Sequence, residues 1–353
     1  MIGEKRARDR YKNSAGQDLR SCTSADDESE QETVVPPKPR AVIVVNPSKP
    51  DAEGFGALAE RICQQEGWLE PLIIETTEDD PGFGQAREAL EKHADVVIAA
   101  GGDGTVRAVA EVLAGTQTPM GIVPMGTGNL LARNLRIVLG KPEWALRVAL
   151  WGKEDTIDVA YGQLAPDGKK TAFMVMAGLG FDAAVMASTN SELKSRVGWL
   201  AYVEAGGRKL FGHRTRVSVT VDDAQPYSAK IRSVIGGNCG RLQGGVTLFP
   251  DARLDDGILD VMVMSPKNLG QWVGVVVSII SRRRGKGMHT QIHKCRSVVI
   301  QAEHYMDVQF DGDAMGKSRY LAMEVQPAAV SVRTATDEQT RKIRGEGWPL
   351  PTV

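Results

Sequence analysis

The sequence predicts an α/β plus β chain: an N-terminal parallel-sheet α/β domain followed by a mainly antiparallel β-sandwich domain. Three observations carry this. Short apolar runs alternate with helical stripes through residues 40–154, as in a parallel sheet with right-handed crossovers. Two of those runs end in glycine turns that open helices. From about residue 155 the rhythm becomes apolar–polar alternation between Gly and Asp turns, which suits antiparallel strands in a sandwich.

Composition bounds the answer. At 353 residues the chain can bury two cores, and 42% hydrophobic with 25% charged residues is ordinary for a globular protein. A formal net charge of -1 gives no basic footprint for nucleic acid, so no nucleic-acid partner is expected. Cys22, Cys63, Cys239 and Cys295 are scattered without zinc-ligand or disulfide spacing, which suits a reducing cytoplasm. The N-terminus starts with charges rather than an apolar signal segment. No apolar run reaches the roughly 18 residues a bilayer span needs. The expectation is a cytoplasmic protein, at most attached to a membrane surface.

Residues 1–39 are polar and mixed in charge, acidic over 26–32 and closed by Pro36, Pro37 and Pro39. Such a stretch buries too little apolar area to offset its ordering entropy, so it reads as a disordered tail. The run 41–45 is a buried strand ended by Asn46-Pro47. Leu58, Ala59, Ile62 and Cys63 form a helical stripe stopped by Gly67. Residues 69–76 read as a second strand and 86–90 lie on a second helix. A third strand, 95–100, runs into Gly101-Gly102-Asp103-Gly104-Thr105, after which Val106, Val109, Ala110 and Leu113 mark a helix. A fourth, 120–123, leads to Gly126-Thr127-Gly128-Asn129 and another helix start. Residues 142–152 close this half as a helix with Pro near its start and Gly near its end.

In the second half, 155–335, strands are expected around 157–161, 217–221, 231–235, 259–264, 298–300 and 323–325. Helical segments fall at 183–193, 199–211 and 268–280. The remainder, 336–353, reads as a polar C-terminal tail or a return onto the first half.

Two glycine loops at the ends of neighbouring strands make a place for phosphates, because glycine admits close backbone approach and helix-start N–H groups attract anions. A tight turn explains the glycines of the first loop but not an acid at their centre. Asp103 would repel a phosphate unless a divalent cation stood between them. The Walker pattern is absent, which sets P-loop NTPases aside.

Together, the Asn46-Pro47 turn, the 101–105 loop and the 124–129 loop resemble the diacylglycerol kinase catalytic-domain family. The likeness is strongest to bacterial soluble lipid kinases of the diacylglycerol and sphingosine kinase type. Gly237-Asn238, the run 248–257 ending Leu254-Asp255-Asp256-Gly257, and Phe310-Asp311-Gly312-Asp313 follow in family order, so the resemblance spans 41–334. The first loop alone is shared with NAD kinases; the combination is far more specific.

The resemblance implies an NAD kinase/diacylglycerol kinase-like fold and an ATP-dependent lipid kinase. Gly101, Gly102, Asp103, Gly104, Thr105, Thr127, Gly128 and Asn129 would hold the nucleotide phosphates, with Asn46 and Thr77 lining the same pocket. Asp103 would meet a catalytic Mg2+, directly or through water. A second, structural Mg2+ would take the Asp256 side chain and the carbonyls of Arg253 and Ile258; a plain Asx turn is the alternative there. The last motif matches the family's Asp-Gly-Glu base element but carries Asp313 where Glu is usual, so either Asp311 or Asp313 would take the acceptor proton. An NAD kinase and an inactive lipid-binding module of the same fold are the competing readings.

Two further features stand beside these. Gly178, Gly180 and Ala183 fit G-x-G-x-x-A, but in the antiparallel half, where a packing turn explains them. The apolar stretch 272–280 precedes Arg282, Arg283, Arg284 and Lys286, a pattern that suits transient contact with anionic lipid or a core helix with a solvated end. A lipid substrate and a membrane surface are the expected partners, with room for a homodimer.

Overall fold

The computed structural model describes residues 37–180, 214–242, 247–268, 270–271, 274 and 290–346. Four strands form its parallel part: β1 (Ala41–Val45), β2 (Leu72–Glu75), β3 (Val96–Gly101) and β4 (Met120–Pro124). They lie in the order β2-β1-β3-β4, so neighbours change direction of travel between β1 and β3. The crevice outside the carboxyl ends of strands at such a switch point is where α/β sheets take ligands. Every residue of β1, β3 and β4 is buried, which is why these strands read as unbroken apolar runs.

The helices follow the stripes. Helix α1 (Phe55–Gln65) buries Phe55, Ala59, Ile62 and Cys63. Helix α2 (Phe83–Glu91) packs beside α3 (Asp103–Leu113), which buries Val106, Val109, Ala110 and Leu113. Helix α4 (Leu130–Asn134) is a short turn and α5 (Pro142–Trp151) covers β4. Strand β2 is shorter than the 69–76 read from the sequence and starts just after Pro71, which has no N–H to give a ladder.

The antiparallel part comprises β5 (Lys153–Gln163), β6 (Lys170–Phe173), β7 (Met176–Leu179), β8 (Thr215–Val221), β9 (Tyr227–Ile231), β10 (Ser233–Gly237), β11 (Leu259–Met264), β12 (Thr290–Cys295), β13 (Ser297–Phe310) and β14 (Asp313–Thr334). Two cores lie on its opposite faces. Val234, Val261 and Val263 enter one, while Ile235, Met262 and Met264 enter the other. The mixed architecture is therefore a parallel α/β half and an antiparallel β-sandwich half.

Several details correct the sequence reading. The short strands expected at 298–300 and 323–325 are parts of β13 and β14, of 14 and 22 residues. Bulges between Gln301 and Met306, and between Gln326 and Val330, let these long strands bend and change neighbours. The single strand read at 231–235 is two: β9 pairs with β8, whereas β10 pairs with β7 and β11, and the chain switches at Arg232. Strand β14 also pairs in parallel with β4 through Val332 and Met120, joining the two parts into one sheet.

The segment read as a polar tail or a return onto the first half carries helix α6 (Asp337–Gly345), which takes the second course. Thr336 and Gln339 make a reciprocal capping box, and Ile343 is fully buried. Gln339 Nε2 donates to the Arg147 carbonyl at 3.2 Å, and Trp144 Nε1 donates to Glu346 at 2.6 Å, so α6 docks on α5. The described residues from Lys38 onward belong to one compact unit. The tail 1–36, the helical segments at 183–193 and 199–211, and the apolar and basic residues at 275–286 lie outside the described residues.

Candidate active site

The two glycine loops touch each other. A side-chain carbon on Gly126 would stand 2.7 Å from the Gly102 Cα, so this crossing admits glycine alone. The second loop closes on itself: Asn129 Oδ1 accepts the Gly126 N–H at 2.9 Å, and Asn129 Nδ2 donates to the Gly126 carbonyl at 2.6 Å. Asn129 takes a left-handed backbone, φ 48°, which asparagine tolerates better than most residues. Arg133 Nε holds the Gly128 carbonyl at 2.7 Å.

Asp103 ties one loop to the other. It opens α3 and its Oδ1 accepts the Leu130 N–H, at the start of α4, at 2.6 Å. Burial pushes its carboxyl above the usual range; the Leu130 and Asn129 N–H groups oppose this, and the nearby charge of Asp313 adds to it. Gly104, the next residue, faces open space, with nothing within 4 Å of where a side-chain carbon would stand. Thr105 is buried under Gly101.

Asn46 extends this floor. Its N–H donates to the Ala100 carbonyl at 2.9 Å, and its Oδ1 accepts from the Ser48 N–H and hydroxyl at 3.0 and 2.6 Å. The turn carries Lys49 over the first loop, with Cε 3.6 Å from a side-chain carbon placed on Gly102. Thr77 follows β2 and accepts the Asp80 N–H at 3.1 Å. Asp80 in turn caps α2 by accepting from Gly82, Phe83 and Gly84.

The acids of the 310–313 turn separate sharply. Asp311 is buried at φ 50°, and its carboxylate accepts the N–H groups of Met174, Val175 and Met176 at 2.8, 2.8 and 2.9 Å. Burial pushes its carboxyl up to about 6 against the pull of those donors and of Arg107. Asp313 is the opposite case, with its side chain 59% exposed. Its Oδ2 meets Arg107 of α3 at 2.8 Å, and the same guanidinium donates to the Phe310 carbonyl at 3.2 Å. Positions 206 apart in sequence thus meet beside the first loop. Buried Cys239 lies near enough for the charges of Asp311 and Asp103 to act on its thiol, which burial first pushes up.

The Arg253–Ile258 segment sits elsewhere, against β14. Asp256 accepts the Ile258 N–H at 3.1 Å and Arg253 pairs with Asp255 at 2.9 Å. Buried Asp158 underpins the turn, accepting from Gly257 at 2.7 Å and from Ala328 at 2.8 Å. Among the described residues no three His, Cys, Asp or Glu side chains gather as a metal cluster. Any cation there would rely on one carboxylate with backbone carbonyls and water, a donor set that suits a hard cation such as Mg2+ and not zinc.

Sequence reasoning missed Arg107, Lys49 and Asp158. The first two carried a signal, each being a lone cation within one turn of a glycine loop or of the Asn-Pro turn. Asp158 carried none, since it alternates like any strand residue.

A parallel α/β half with glycine loops after β3 and β4, followed by an antiparallel sandwich, is an arrangement suited to holding phosphates at the carboxyl ends of the strands. Residues 40–161 match the model of the diacylglycerol kinase catalytic domain, and residues 175–334 match the YegS C-terminal NAD kinase beta sandwich-like domain. A protein of Pseudomonas aeruginosa UCBPP-PA14, named "Probable lipid kinase YegS-like", is 32% identical over 276 residues, 76% of this chain and 86% of its own length. A diacylglycerol kinase of Bacillus subtilis 168 is 28% identical over 282 residues, covering 78% of this chain and 90% of its own. The fold is shared with a diacylglycerol kinase crystal structure from Bacillus anthracis Sterne, with TM-score 0.59 and 19% identity over 84% of this chain and 96% of that one. The chain belongs to this diacylglycerol kinase catalytic-domain family and is a lipid kinase.

Proposed function

We propose that the protein moves the γ-phosphoryl group of ATP to the hydroxyl of a diacylglycerol or sphingoid-like lipid, with Asp313 as general base. The observation that carries this is the meeting of Asp313 with α3 through Arg107 at 2.8 Å, which sets an accessible carboxylate beside the first glycine loop. Asp311 is the poorer base, because three backbone N–H groups already occupy its carboxylate. In this reading residues 40–154 bind nucleotide and 155–335 present the lipid.

The phosphates would lie over the open face at Gly104, between Gly101–Thr105 and Thr127–Asn129, with Asn46, Thr77 and Lys49 at the rim. Asp103 fits a catalytic Mg2+ met through water, since the Leu130 N–H already holds one of its oxygens. Bound there, Mg2+ would neutralise phosphate charge. A second Mg2+ at Asp256, with the carbonyls of Arg253 and Ile258, would brace the turn rather than react. Phosphoryl transfer asks a protein mainly for positioning and charge neutralisation, which these parts supply.

No helix among the described residues is long and apolar enough to cross a membrane. Lipids of this class reside in bilayers, and in this reading the protein meets its substrate at the membrane surface. The test is labelled-ATP phosphorylation of a total lipid extract with NAD offered alongside. Labelled lipid, lost in Asp313→Asn, is the expected result. Label on NAD alone would overturn the reading.

A further inference from the structure

Arg107 sits one helical turn after Asp103, on α3, and only 14% of its side chain is exposed. Its guanidinium grips both ends of one turn: the Phe310 carbonyl before it, at 3.2 Å, and the Asp313 carboxylate after it, at 2.8 Å. Between these ends the chain passes through two left-handed residues, Asp311 at φ 50° and Gly312 at φ 96°. Gly312 N–H is held by Gln309 Oε1 at 2.8 Å. The backbone of the turn is thus fixed from below by Asp311, but the Asp313 side chain projects toward solvent. Its one described anchor is Arg107.

We propose that Arg107 is a positioning residue that aims Asp313 at the acceptor hydroxyl and keeps the 310–313 turn in register with the first glycine loop. This rests on the reading of Asp313 as the base. An exposed aspartate reaches less far than glutamate and samples several rotamers. A planar guanidinium anchored on a carbonyl offers fixed donors and selects one of them. Because the anchor grows from α3, whose N-terminus is the glycine loop itself, the carboxylate and the phosphate cradle share one rigid support. Lysine could supply the charge but not two donors in fixed geometry.

The test uses the full chain, labelled ATP and total lipid extract as acceptor, with Arg107→Met, Arg107→Lys, Asp313→Asn and the Arg107→Met/Asp313→Asn double variant. Arg107→Met is expected to lower kcat about 100-fold, the scale of an ångström-sized misplacement, with KM for ATP nearly unchanged. Arg107→Lys should recover part of kcat and melt like the wild type, so it reports even where the methionine variant folds poorly. In the Asp313→Asn background, removing Arg107 should cost nothing further. Three results would overturn the proposal: wild-type kcat in both Arg107 variants, an equal loss in the Asp313→Asn background, or a rise in KM for ATP in place of the fall in kcat. Full activity in Asp313→Asn would instead sink the base assignment on which it stands.

Discussion

Asp103 Oδ1 accepts the Leu130 N–H at 2.6 Å, so the acid at the centre of the first glycine loop caps the helix that follows the second. A helix N-terminus stabilises a carboxylate there, and the contact also fixes the spacing of the two loops. Asp103→Asn can still present an oxygen to Leu130 but loses its charge. It should keep its melting temperature within a few degrees while turnover falls sharply. Asp103→Ala loses the cap as well and should be destabilised by about 0.5–2 kcal/mol. Thermal melts beside the labelled-ATP assay separate the two effects, and wild-type turnover in Asp103→Asn would remove the charge from the mechanism.

The loop crossing gives a paired prediction. Gly126→Ala drives a methyl to 2.7 Å from the Gly102 Cα and should cost about 1–3 kcal/mol as an overpacked contact. Gly104→Ala meets nothing within 4 Å and adds a better helix former to the first turn of α3. It should fold at least as well as the wild type, yet weaken nucleotide binding because its methyl fills the proposed phosphate space. Calorimetric titration with an ATP analogue, alongside thermal melts, checks both. Undiminished affinity in Gly104→Ala would move the phosphates elsewhere.

Asp158 makes a stability prediction. It is 1% exposed and holds the Gly257 and Ala328 N–H groups, bracing the Asp256 turn against the β14 bulge. Asp158→Ala strands both donors, at about 1–3 kcal/mol each. Denaturant unfolding should therefore show a larger loss than for Asp256→Asn, which removes a charge but keeps an oxygen for the Ile258 N–H. If the second Mg2+ site is correct, added MgCl2 should raise the wild-type midpoint and leave the Asp256→Asn midpoint unmoved.

How legible this was follows from what each residue does locally. Runs such as Val96–Gly101, buried on both faces, announce a parallel sheet because every side chain must be apolar. Gly102 and Gly126 announce a close approach, although only the structure reveals that they approach each other. The sandwich was legible as alternation, but its long bent strands were not, since bulges at 301–306 and 326–330 leave no composition mark. The same limit applies to Asp311 and Asp313. Two acids flanking a glycine look alike in sequence, and burial under the β6–β7 backbone, 135–137 positions away, is what divides them. Arg107 was invisible as a partner for the same reason.

That division has a pH consequence. The Asp311 carboxyl titrates near 6 in the fold against a usual value of 3.8, with burial the largest cause. The folded state therefore binds this proton more tightly than the unfolded chain. The associated stability is fully present below about pH 4 and is lost as pH rises through about 6. Other acids with lowered values, such as Asp80 and Asp255, contribute the opposite slope at lower pH, so the signature must be read as a difference. Asp311→Asn keeps the shape but turns an amide N–H toward backbone donors, and should lose about 1–3 kcal/mol for each donor left unpaired. Comparing urea midpoints at pH 4.5, 6 and 7.5, the deficit of the variant should shrink as pH rises across this window, because the wild type alone loses the Asp311 term there. A deficit independent of pH would mean that Asp311 stays ionised throughout, with its three N–H donors outweighing burial.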